Sequence, residues 1–105
     1  SDGALYITDT GIQITASGMT HPGPDRVFKI VGRAVSTAIT FDALIGPNGL
    51  AMDDANGRVL MVPFGAPTIY AFAPGADKAD SIATGPGGYD GVVVLGDGRA
   101  LISSW

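Results

Sequence analysis

The chain has 105 residues, 46% of them hydrophobic and 15% charged, with a formal net charge of −4. That balance is too apolar for intrinsic disorder, and the length suits one compact core rather than two. The six Lys and Arg are never clustered and give a phosphate backbone little to bind, so nucleic acid is not an expected partner.

Sixteen glycines and seven prolines break up the apolar runs, and no stretch reaches the roughly 18 to 20 apolar residues of a membrane-spanning helix. No membrane is expected as a partner. Cysteine is absent, which removes disulfides, zinc-thiolate sites and cysteine nucleophiles but leaves the compartment undefined. A soluble chain is expected, with secreted and periplasmic settings both open. The opening Ser1-Asp2-Gly3 has no initiator Met and no basic-plus-apolar leader, so the sequence reads as a piece whose preceding segment has been removed.

In chain order, Asp2-Gly3 leads into the apolar run Ala4-Leu5-Tyr6-Ile7, and a polar, glycine-rich stretch follows over 11–24. Val27-Phe28-Lys29-Ile30-Val31 is the next strand pattern. From residue 47 onward a complete unit is legible: strand a over 50–53, b over 58–62, c over 68–73 and d over 81–84. Tyr89-Asp90-Gly91-Val92-Val93 then starts a second a strand, and Asp97-Gly98 turns it into a second b strand. Asn-Gly and Asp-Gly between apolar runs predict hairpins with type I′ turns, in which both central residues take positive φ. Nothing predicts a helix.

These segments repeat. Val27–Val31 aligns with 69–73, and Pro47-Asn48-Gly49-Leu50-Ala51 aligns with Tyr89-Asp90-Gly91-Val92-Val93, both at an offset of 42 residues. Four short antiparallel strands in a repeat of about 40 to 50 residues is the pattern of a β-propeller blade; a β-sandwich with similar hairpins is the alternative. The expected fold is therefore all-β: a single partial propeller domain over 1–105, with strands b-c-d of one blade in 1–46, a full blade in 47–88, and strands a-b of the next in 89–105. Such a chain does not close a ring, and open blade edges invite partners. The remaining blades of a longer protein are the preferred partner, with further copies of the chain as the alternative.

Gly3 and Gly57 stand 54 residues apart, so the first repeat carries about 12 extra residues, placed between strands b and c. This insertion holds the one histidine, His21. In a propeller the d–a and b–c connections emerge on one face, and insertions there mark function. Asn48 and Asp90 each end a d–a connection, so their oxygens should converge from neighbouring blades and suit a hard divalent cation such as calcium or magnesium. As turn formers alone they would mean nothing; their equivalent places in the repeat are what single them out. Asp9 and Thr10, Phe64, and Ser104 with Trp105 end the three b strands on the same rim. His21, Phe64 and Trp105 are the candidate substrate-binding residues, while Tyr6, Phe28, Tyr70 and Phe72 read as core.

Ile45-Gly46-Pro47-Asn48-Gly49-Leu50-Ala51-Met52-Asp53 resembles the "PNGLA" stretch of the gluconolactonase, regucalcin-like (SMP-30) family of six-bladed propellers. Tyr89-Asp90-Gly91-Val92-Val93-Val94-Leu95 with Asp97-Gly98-Arg99 is similar to that family's next blade. The resemblance implies that Asn48 and Asp90 ligate a divalent metal, calcium first with zinc or magnesium as alternatives, and that Asp90 is the catalytic base. It also implies hydrolysis of a sugar lactone or related ester. The chain departs from the family in two respects: it contains no Glu to serve as third ligand, and Tyr89 stands where a proline usually precedes Asp-Gly. Gly-x-Ser-x-Gly is absent and Gly85-Pro86-Gly87-Gly88 has no following Lys, so neither a serine hydrolase nor a phosphate loop is expected. A non-catalytic binding module of the NHL type is the competing reading.

Overall fold

The computed structural model describes residues 3–105. Its strands are β1 (Leu5–Asp9), β2 (Gln13–Thr15), β3 (Gly18–Thr20), β4 (Asp25–Val31), β5 (Ala34–Phe41), β6 (Pro47–Asp53), β7 (Arg58–Pro63), β8 (Thr68–Phe72), β9 (Asp80–Thr84), β10 (Tyr89–Val94) and β11 (Ala100–Ser104). The one helical element among the described residues is a single 3-10 turn over Asp54–Asn56. The chain is all-β, as the sequence predicts, and among the described residues no helix is long and apolar enough to cross a membrane.

The strands form a three-stranded sheet β1-β4-β5, a four-stranded sheet β6-β7-β8-β9, a two-stranded sheet β10-β11 and the small hairpin β2-β3, each pairing antiparallel. The four-stranded sheet is the a-b-c-d meander expected from residue 47 onward, with its first strand beginning at Pro47 rather than residue 50. The insertion lies between β1 and β4, as expected, and folds into the β2-β3 hairpin, whose six residues are all exposed. The sheets stay open and small; no closed ring forms among the described residues.

The burial gradient across the second sheet explains its order. β7 is buried through Val59, Leu60, Met61, Val62 and Pro63, whereas all five residues of β9 are exposed. A continuous apolar run is what a strand needs when both its faces are covered. Val59 and Met61 point to one face and join Val27, Ile39, Ile45 and Phe72 in the core between the first and second sheets. Tyr6 meets Phe72 and Phe41 meets Tyr70 edge to face, at 5.8 and 5.5 Å between ring centroids. Leu60 and Val62 alternate onto the other face of β7, against which β10 packs. Phe28, expected in the core, instead lies on the outer face of the first sheet beneath the Arg26 guanidinium, 4.7 Å from its ring centroid. Its place one residue out of phase with buried Val27 decides this.

The turns differ from the expected type I′. Among the described residues no non-glycine residue takes positive φ, so Asn56 and Asp97 stay in ordinary conformations and in these two turns only Gly57 (φ 61°) and Gly98 (φ 88°) are left-handed. Asp53 pairs with Arg58 around a four-residue loop containing the 3-10 turn, which places the single left-handed residue at Gly57. The β10-β11 loop is one residue shorter, closed by the Leu95 amide donating to the Arg99 carbonyl at 2.8 Å. The repeat offset therefore falls from 42 before this turn to 41 after it. The Asp2-Gly3 turn lies partly outside the described residues.

Candidate functional site

The two strands that carry Asn48 and Asp90 enter the structure in the same way. Gly46 and Gly88, one repeat apart, both take left-handed φ (63° and 62°) and turn the chain into β6 and β10. The amide of Phe64 donates to the Gly46 carbonyl at 2.8 Å, and that of Trp105 to the Gly88 carbonyl at 3.0 Å. Both strands then pass through a bulge at their first residues, between Pro47 and Gly49 and between Tyr89 and Val92. Asn48 and Asp90 occupy these bulges, where side chains are re-aimed out of the ladder.

Asn48 and Asp90 do come together. Asn48 Nδ2 donates to Asp90 Oδ1 at 3.3 Å and to the Tyr89 carbonyl at 3.1 Å. A carbonyl can only accept, so the bond to Tyr89 fixes the amide with its nitrogen towards β10. Thr8 on β1 anchors the same turn from the other side, donating from Oγ1 to the Asn48 carbonyl at 2.9 Å. Asn48 is half-buried and Asp90 exposed. β6 lies against both β1 and β10 here, and the approach of β10 is possible because residue 49 is glycine. A Cβ on Gly49 would sit 2.5 Å from the Asp90 carbonyl oxygen and 3.1 Å from Gly91 Cα.

Calcium gathers six to eight oxygens and usually more than one carboxylate. Among the described residues no group of three or more His, Cys, Asp or Glu side chains is disposed to hold a metal ion. Asn48 and Asp90 offer one amide oxygen and one carboxylate between them, fewer oxygens than such an ion gathers.

His21 is not a free loop residue. Its Nε2 lies 2.7 Å from Oδ1 of Asp25, a fully buried carboxylate whose other oxygen accepts the Gly46 amide at 2.7 Å. Gly11 makes room for that carboxylate, since a Cβ there would clash with Asp25 Oδ1. His21 therefore connects to the site through Asp25 and Gly46, two residues before Asn48, and no hydrogen bond among the described residues joins it directly to the Asn48–Asp90 pair. Phe64 is half-exposed and lines a shallow depression between the β7-β8 and β9-β10 connections, with Ala66, Pro67, Pro86 and Gly87. Those connections lie side by side as expected, the Gly85 amide donating to the Pro67 carbonyl at 3.0 Å. Trp105, 88% exposed, stands over Gly88 at the equivalent rim position and outside the depression. Asp9, on the same rim, accepts the Gly11 amide and pairs with Arg26.

Sequence reasoning missed Thr8, Asp25 and Tyr89. Tyr89 is 2% exposed and its hydroxyl donates to the Pro67 carbonyl at 3.0 Å. It thereby fills the position of the buried Pro47 one repeat earlier. The signal in the sequence was its place one repeat after Pro47; Gly85, whose Cβ would meet the Tyr89 hydroxyl at 2.6 Å, makes room for it. No protein-family model matches the chain, and no curated protein matches it.

Proposed function

We propose that the three sheets are successive blades of a β-propeller resembling the SMP-30 and gluconolactonase family. On this reading Asn48 and Asp90 contribute two oxygen ligands to a divalent-metal site, calcium by preference, that opens a sugar lactone or related ester. One observation carries the reading: residues at equivalent places in successive repeats meet side chain to side chain, at 3.3 Å, on the rim where the connections gather. A turn-forming role alone gives no reason for that meeting.

Asn48 would bind through Oδ1, held in orientation by its bond to the Tyr89 carbonyl. Asp90 would accept the proton of the attacking water, its exposure giving water direct access. A cation held there, with a carboxylate from other polypeptide as its third protein ligand, would supply Lewis acidity at the substrate carbonyl. Phe64 and the neighbouring prolines offer an apolar wall for the substrate's ring face.

The Asn48 amide is also a good tie between β6 and β10, and this favours a second reading in which the pair is structural and the propeller binds without chemistry. Lactone hydrolysis measured with and without chelator, on a protein containing this chain together with the polypeptide that completes the ring, separates the two. Chelator-sensitive hydrolysis lost in Asp90→Asn supports the metal site. Hydrolysis indifferent to both changes removes it.

A further inference from the structure

Asp25 is a buried carboxylate that the repeat itself does not call for. At the 42-residue offset it corresponds to Pro67, and the two strands bulge at corresponding places, between Val27 and Phe28 and between Ile69 and Tyr70. Asp25 accepts the Gly46 amide, yet Gly88 makes the equivalent turn, at nearly the same left-handed φ, with proline in the place of the acid. Holding the turn is therefore no sufficient reason for a carboxylate that is 0% exposed, because a buried charge costs free energy unless it is partnered. No Lys or Arg among the described residues pairs with it, and the adjacent Arg26 is engaged by Asp9.

What the first repeat has in addition is the insertion, and the insertion brings His21. Three backbones without side chains close around the carboxylate. A Cβ on Gly11 would strike Asp25 Oδ1, one on Gly23 would stand 3.7 Å from the same atom, and the Gly46 amide reaches Oδ2 at 2.7 Å. Among the described residues His21 is the one side chain hydrogen-bonded to Asp25, Nε2 to Oδ1 at 2.7 Å. A carboxylate only accepts, so Nε2 carries the hydrogen and the lone pair of the neutral ring is on Nδ1. Nδ1 has no hydrogen-bond partner among the described residues and is not buried, the side chain being 29% exposed. Gly46 links the pair to the depression, its carbonyl accepting the amide of Phe64, which lines it.

We propose that His21 and Asp25 are a proton-transfer dyad that hydrolyses uncharged esters whose apolar part lies against the depression, independently of any cation at Asn48 and Asp90. His21 Nδ1 takes a proton from water as the water oxygen bonds to the acyl carbon and the carbonyl π pair moves onto its oxygen. When that pair returns, the ester C–O bond breaks and the imidazolium gives the proton to the departing alkoxide, leaving acid, alcohol and neutral His21. Asp25 is the positioning residue: it fixes the tautomer and stabilises the imidazolium that forms in between.

Hydrolysis of p-nitrophenyl acetate by the chain, with chelator present throughout, tests this and can fail while the metal reading stands. The wild type should show saturable hydrolysis about tenfold or more faster, per mole, than free imidazole, and His21→Gln should lose about 100-fold or more. Diethyl pyrocarbonate, acting on the one histidine of the sequence, should abolish the activity and hydroxylamine should restore it. Asp25→Asn should lower kcat about tenfold or more with KM unchanged. Should that variant lose its β circular dichroism spectrum, long-range ¹H–¹⁵N NMR of the wild-type ring answers the same question: in the neutral ring, Nε2 alone should carry the hydrogen. A wild-type rate no greater than that of imidazole, or activity that survives His21→Gln or the reagent, would overturn the proposal. So would an Asp25→Asn variant with unchanged kcat, or a neutral ring divided between its two tautomers.

Discussion

At Gly49 the backbone of one repeat approaches that of the next too closely for a side chain. An ideal Cβ there meets backbone atoms of Asp90 and Gly91, which have no rotamer with which to yield. Gly49→Ala should therefore cost about 1–3 kcal/mol or more, the usual penalty of overpacking. Gly91→Ala, one repeat later, meets only Ser103 Oγ at 3.5 Å and should stay within about 0.5 kcal/mol. Urea denaturation of the two variants checks the contrast, and equal costs would mean that β6 and β10 do not approach as described. A second residue-scale prediction concerns Asp53, buried at the far end of β6. The Arg58 hydrogen bond, at 2.9 Å, and then that from Asn56 hold its carboxyl below the usual carboxylate range. A carboxyl lowered in the folded state stabilises above its unfolded pKa, near 3.9, and that contribution is lost as pH falls through the lowered folded value. Arg58→Met should thus lower Tm at neutral pH, with the difference from wild type shrinking below about pH 4. A difference that is constant with pH would assign the Arg58 contribution to packing. Asn48 and Asp90 were legible as a pair because they share a place in the repeat. That the amide nitrogen faces Asp90 was not, since it follows from the Tyr89 carbonyl, which a bulge presents and no residue type encodes.

Among the elements, β7 carries the greatest share of burial. Met61, wholly buried between the first and second sheets, should cost about 2–5 kcal/mol on replacement by Ala. The β2-β3 hairpin pairs only with itself and buries no residue, so Ile14→Ala should leave Tm unchanged. Thermal unfolding of the two variants measures both, and a hairpin variant as costly as the core one would show that the insertion packs on the body of the molecule. β7 was easy to read because four consecutive apolar residues at an Asn-Gly turn leave few alternatives. The hairpin was not, because three-residue strands with no covered face need no alternation. The turn type was misread for a related reason: Asn-Gly marks where a chain reverses, while loop length decides how many residues must take positive φ. His21 and Asp25 are separated by Pro22-Gly23-Pro24, which announces a turn without saying that its two ends will meet. Phe28 was assigned to the core by its type, and strand phase overruled it.

At the scale of the whole molecule, three open sheets are stacked so that each covers the next, within a body of 45 × 35 × 20 Å. The all-β class, the meander from residue 47 and the position of the insertion could all be read from hairpin signals and period. The meeting of Asn48 with Asp90 was expected from their equivalent places in the repeat, whereas which faces of the sheets pack together was not, since strand phase and bulges decide it. The proposal that this stack serves a propeller's metal centre rests on that meeting. Its most direct measurement is a calcium titration of the chain followed by ¹H–¹⁵N NMR, observing the Asn48 side-chain amide and the backbone amides of Asp90 and Gly91. Two oxygen ligands bind weakly, so the account predicts progressive, fast-exchange shifts of these signals at high calcium, reversed by chelator and abolished in Asp90→Asn. Signals that stay fixed throughout the titration, or that move equally in Asp90→Asn, would contradict it and leave the Asn48–Asp90 contact as a tie between two sheets.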